Sequence, residues 1–121
     1  MGVVAMVESG NIEEKLAKAL VKLIGGARGR RVTIKTATLV KLAGLDEKHR
    51  NILKAAKMLS KLSKERVIKV EFKEKISRAK SIMYVVDDQM DLWRISKLNP
   101  DDATKIILKS LERFKNKARL T

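Results

Sequence analysis

The chain has 121 residues, 45% hydrophobic and 35% charged, with 28 Lys and Arg against 14 Asp and Glu and no Cys. That length is one domain by default, and a net charge of +14 at pH 7 suits a dense polyanion better than a neutral metabolite. The absence of Cys excludes disulfide scaffolds, cysteine zinc sites and thiol catalysis.

The apolar runs fall short of the roughly 18 residues a membrane span needs. The opening MGVVAMVESG has no basic leader or long hydrophobic core, and Met6 stands where the myristoylation pattern wants Ser or Thr. The expectation is a soluble cytoplasmic protein without a membrane partner. A composition rich in Lys, Arg and Glu and free of Cys leans toward thermophile proteins.

The charge is unevenly placed. Residues 1–26 hold three Lys and three Glu, which cancel, whereas residues 27–81 hold 17 Lys and Arg against five acids. Nearly all the excess therefore sits in one central stretch.

In chain order, a first helix is expected from Ile12 to Ile24, with Asn11 as cap and Glu14 as its capping-box partner. Its apolar face is Ile12, Leu16, Ala19, Leu20 and Leu23, and Gly25-Gly26 ends it. GGARGRR is a basic loop, and RVTIK reads as a short strand through its β-branched residues. Thr36 or Thr38 is expected to cap a short helix that buries Leu39, Val40 and Ala43, followed by a tight turn at Gly44-Leu45.

Asp46 is the expected cap of a third helix reaching Glu65. At 100° per residue, Ile52, Ala55, Ala56, Leu59 and Leu62 share one face, and Arg50, Lys54, Lys57, Lys61 and Lys64 share the opposite one. A solvated lysine face is the ordinary explanation of such a stripe. Here no acid shares its centre, so the usual i, i+4 neutralisation is missing and an anionic partner is favoured.

VIKVEFKEK and SIMYVVD are strand candidates joined by ISRAKS. In the first, Ile68, Val70 and Phe72 make the buried face; in the second, Tyr84 and Val86 lie with Ile82, opposite Met83 and Val85. Lys75, Arg78 and Lys80 give this hairpin a basic tip. A short helix from Gln89 to Lys97 should turn Met90, Trp93 and Leu98 inward. Asn99-Pro100-Asp101-Asp102 starts a last helix to about Ala118, with Ala103, Ile106, Ile107, Ser110, Leu111, Phe114 and Ala118 as its apolar stripe.

RVTIKTATLVKLAGLDEKHRNILKAAKMLSKL followed by VIKVEFKEKISRAKSIMYVVD resembles the winged helix-turn-helix superfamily in pattern and order, over about residues 12–88. Small archaeal chromatin proteins and compact transcription regulators belong to it. The resemblance implies an α+β, mostly helical fold: a winged helix-turn-helix domain over 1–98 and an added C-terminal helix over 99–121, for packing or dimerisation. It implies a double-stranded DNA partner, the third helix in the major groove, the hairpin on the adjacent backbone, and a nucleoid-associated location. The third helix is longer than usual, and its Lys suits phosphate; only Arg50 and Asn51 look able to read base edges.

The expected nucleic-acid-binding residues are Lys48, Arg50, Asn51, Lys54, Lys57, Lys61 and Lys64 on the third helix, Lys75, Arg78 and Lys80 on the wing, and Arg28, Arg30 and Arg31 in the basic loop. RNA in a ribonucleoprotein is the alternative partner, and a homodimer through the C-terminal helix is expected. No catalytic residue, metal or cofactor is expected. His49, the one histidine, has no orienting partner in the pattern; the Asp87-Asp88-Asp91 and Asp101-Asp102 clusters fall at helix starts, and GGARGRR lacks the G-K-[ST] of a phosphate-binding loop. Trp93, Tyr84, Phe72 and Phe114 all fall on apolar faces, which disfavours single-strand stacking.

Overall fold

Long amphipathic segments build the frame. The computed structural model describes residues 4–71 and 83–120, with side chains described for 12–71 and 83–117. The first helix, α1 (Val4–Gly25), begins well before Asn11, which lies inside it rather than capping it. A cap is worth about 1 kcal/mol, and Val4–Val7 extend the helix with one more hydrogen bond per residue. The buried face of α1 is also wider than expected. Ala17, Val21 and Ile24 join Leu16, Ala19 and Leu20, while Ile12 and Leu23 are half-buried. Four other helices surround it, so no narrow stripe suffices.

Gly25 closes α1 for a reason of space. A Cβ there would stand 3.2 Å from the carbonyl oxygen of Ser96. The same end is held by Lys97, whose Nζ donates to the carbonyls of Gly25 (3.3 Å) and Ala27 (2.9 Å) while lying 4.8 Å from the centre of the Trp93 ring. A cation at the exposed carbonyls of a helix C-terminus is favourable.

The strand β1 (Arg31–Ile34) leads into α2 (Thr36–Leu42), which buries Leu39 and Val40. Neither Thr36 nor Thr38 caps α2; the N-cap is Lys35, with no side-chain hydrogen bond. Gly44, at φ +75°, makes the expected turn. The third helix, α3 (His49–Lys64), starts at an N-cap of Lys48 rather than Asp46. Asp46 instead supplies its backbone oxygen to the Asn51 side-chain amide at 2.8 Å. Met58 is buried with Ala55, Leu59 and Leu62, whereas Ile52 and Ala56 are half-buried.

Two further strands complete the sheet, β2 (Lys69–Glu71) and β3 (Met83–Asp87), in the order β1-β3-β2 with both pairings antiparallel. Ile68, Tyr84 and Val86 are buried as expected, but Val70 is 56% exposed. Val85, on the face opposite Tyr84 and Val86, is also buried, at 6% exposure. It pairs with Thr33 on one side and Lys69 on the other, beneath ion pairs that tie the same face together. Phe72, Lys73, Lys75, Arg78, Lys80 and Ile82 lie outside the described residues.

The fourth helix, α4 (Asp91–Leu98), buries Leu92, Trp93 and Ser96. Leu98, expected inside, is 84% exposed, because at 100° per residue it falls opposite the centre of the face that Leu92, Trp93 and Ser96 bury. The last helix, α5 (Pro100–Leu120), starts as the sequence predicts: Asn99 Oδ1 accepts from the Asp102 amide at 3.3 Å.

Ala103, Ile107 and Leu111 of α5 join Leu16, Leu20, Leu59, Trp93 and Val86 in one core. Their stripe packs mainly on α1 and α4. Pairing of α5 with a second copy would therefore need another face. Among the described residues the chain is α+β and mostly helical, five helices with one three-stranded antiparallel sheet. No helix among them is long and apolar enough to cross a membrane.

Candidate nucleic-acid interface

The buried face of α3 is set by Ala55, Met58, Leu59 and Leu62, and this leaves its basic residues on the outer side and one flank. Arg50, Lys54, Lys57 and Lys64 are exposed, and Lys61 is half-buried. The stripe divides along its length. Among the described residues, no acid pairs with Arg50, Lys54 or Lys57, whereas Lys61 and Lys64 lie 5.9 and 5.7 Å from the centre of the Phe114 ring of α5. Phe114, expected in the core, is half-buried beneath these two cations.

Lys54, Lys57 and Lys61 also border a cleft against Ile12, Glu13 and Leu16 of α1. Glu13 is bridged to Lys115 of α5 at 3.8 Å. The C-terminal end of α3 is tied down by Glu65, its side chain 5% exposed, whose Oε2 meets Lys117 at 3.0 Å. The free charge is thus concentrated toward the start of the helix.

The remaining expected contacts are placed unevenly. Asn51 spends its amide on Asp46, and Lys48 lies 3.9 Å from the Asp46 carboxylate. His49 is exposed at the first turn of α3. Arg28 and Arg30 are exposed in the loop before β1, and the Asp88 amide donates to the Arg30 carbonyl at 2.8 Å. The strand register puts Arg31 opposite Asp87 and Ile34 opposite Tyr84. Arg28 and Arg30 therefore sit at one end of the sheet, and the Glu71–Met83 pair lies at the other. The expected wing residues Lys75, Arg78 and Lys80 lie outside the described residues.

Arg31 is committed to Glu71 at 2.7 Å, crossing from one edge strand to the other, and Lys69 to Asp87 at 3.0 Å. The Lys69 ammonium bonded to its Oδ2 holds the Asp87 carboxyl below the usual range, aided by the Gln89 amide on Oδ1 and by nearby Arg31. Asp91 pairs with Arg94 one turn along α4. No group of three His, Cys, Asp or Glu among the described residues is placed to hold a metal ion.

The sequence pattern did not single out Arg66, Lys109 and Arg113, which border a second cleft between the end of α3 and α5. Their one advance sign is Arg66 itself, standing just after a helix where glycine is usual. No protein-family model, curated protein or solved structure matches this chain.

Proposed function

We propose that the protein binds double-stranded DNA without catalysing a reaction, laying the outer face of α3 against the duplex. The observation that carries this is the state of Arg50, Lys54 and Lys57: exposed, on one helix, and unanswered by any acid among the described residues. Like charges at i, i+3 and i+4 repel, and a phosphate backbone turns that cost into attraction. The element order α1-β1-α2-α3-β2-β3 with strand order β1-β3-β2 supports a winged helix-turn-helix, in which such a helix enters the major groove.

Lysine makes strong phosphate contacts and poor base contacts, and Asn51 is held by its own turn. The favoured role is accordingly backbone binding with weak sequence preference, as in an architectural protein. Arg28 and Arg30 would supply phosphate contacts beyond the main face. Tyr84 and Trp93 are buried and Phe114 is half-buried beneath Lys61 and Lys64, so no aromatic among the described residues is fully exposed as a stacking platform, which disfavours single strands.

The test is fluorescence anisotropy on matched duplex DNA, single-stranded DNA and duplex RNA across a salt series. With six to ten phosphates neutralised, duplex affinity falls about 10³- to 10⁵-fold between 50 and 200 mM salt. Equal or tighter binding to duplex RNA would replace DNA with a ribonucleoprotein partner.

A further inference from the structure

The second cleft carries a chemistry that the α3 face does not explain. It is an open cleft of about 450 Å³ where the turn after α3, the start of α4 and the middle of α5 meet, within the size range of small-molecule sites. Its cations are Arg66, Lys109 and Arg113, drawn from two separate parts of the chain. All three are exposed, and among the described residues none has a side-chain hydrogen bond or ion pair. Between them the cleft is apolar: Val67, Met90 and Ile106 are half-buried and Leu92 is buried. The one acid on its border, Asp91, is paired with Arg94.

Two further observations mark the place. Ser110 lines the cleft at 3% exposure, which sets a hydroxyl-bearing side chain in its wall. Arg66 has φ +61°, the left-handed conformation. Its amide donates to the Ser63 carbonyl and the Val67 amide to the Leu62 carbonyl, the paired bonds of a Schellman helix end, whose left-handed position favours glycine. An arginine there accepts backbone strain, and strain of this kind gathers at functional sites.

We propose that this cleft binds the phosphate group of a small phosphorylated molecule, with Arg66, Arg113 and Lys109 on the phosphate and the apolar floor beneath the rest of the ligand. Arginine's planar fork matches phosphate oxygens, and the Ser110 hydroxyl in the wall can act as a further donor. A DNA backbone offers the same phosphate chemistry, but a rod-like duplex has no apolar portion to cover Val67, Met90 and Ile106. The assignment does not rest on DNA binding by α3.

Calorimetric titration of the full chain with pyrophosphate, ATP and adenosine, and anisotropy with duplex DNA, test it. Pyrophosphate and ATP should bind, and adenosine should bind at least about tenfold more weakly than ATP, the weight of a lost charge-assisted contact. Arg66→Gly should weaken ATP by about tenfold or more while its melting temperature equals or exceeds that of the parent, since glycine relieves the strain. Arg113→Gln, at an exposed helix position, should weaken ATP similarly. Lys54→Gln/Lys57→Gln should bind ATP like the parent, which separates this site from the α3 face. Absence of pyrophosphate and ATP binding, or binding that neither Arg66→Gly nor Arg113→Gln weakens, would overturn the proposal. Loss of duplex affinity in Arg66→Gly without any ATP binding would also overturn it, by assigning the cleft to the DNA surface.

Discussion

The outer face of α3 and the outer face of the sheet carry the same kinds of residue in opposite states. On the sheet, Arg31 meets Glu71 and Lys69 meets Asp87, so each charge is answered across the strands and Val85 lies beneath them. On α3, Arg50, Lys54 and Lys57 are exposed, and no acid among the described residues pairs with them. Basicity counted along the sequence does not distinguish the two regions. Pairing does, and it turns one set of cations into fold and leaves the other for a partner.

The strongest way to break this contrast is to reverse charge on α3. Lys54→Glu/Lys57→Glu should lower duplex affinity on the order of 10²-fold at moderate salt and flatten the salt slope by about two phosphate contacts, read by anisotropy. Its melting temperature should hardly change, because both side chains are exposed. Disturbing the frame should have the opposite signature. Leu20→Ala, at a fully buried core position, should cost about 2–5 kcal/mol in urea unfolding. Gly25→Ala should cost about 1–3 kcal/mol, because its Cβ would press on the Ser96 carbonyl.

The α3 face was legible in the sequence because helical spacing alone gathers Arg50, Lys54 and Lys57, and no ion pair or ring contact among the described residues intervenes. Lys61 and Lys64 were legible only as members of the stripe. That Phe114 of α5 lies beside them depends on how two distant helices pack. The cleft of Arg66, Lys109 and Arg113 was invisible for the same reason, since residues far apart in sequence converge there.

Within the fold, β1, α5 and the turn at Gly44 followed from local chemistry. The capping roles given to Asn11 and Asp46 did not hold, because a preference of about 1 kcal/mol yields to helix extension and to turn geometry. The width of the buried face of α1 depends on how many helices pack around it, which no single segment encodes.

The sheet face sharpens the comparison with smaller effects. Glu71→Gln breaks its bridge to Arg31, and because Arg31 is more than half exposed the loss should stay within about 1 kcal/mol. Acid titration isolates the other bridge. The Asp87 carboxyl is held below its unfolded value of about 3.9, so its contribution is complete above that pH and is lost as pH falls through the folded value. Asp87→Asn should remove this part of the acid-induced loss of stability, read as melting temperature between pH 6 and pH 2.

The most direct measurement compares two charge-matched variants on one duplex DNA across a salt series. Lys54→Gln/Lys57→Gln removes from α3 two cations that no acid among the described residues pairs, and Lys18→Gln/Lys69→Gln removes two that are paired with Glu14 and Asp87. Both lower the net charge equally. If unpaired charge on α3 is what binds, the first should weaken affinity by tenfold or more and reduce the salt slope by about two contacts, while the second stays within about threefold of the parent. Equal losses in the two variants would contradict the account and leave only the net charge of the molecule as the source of binding.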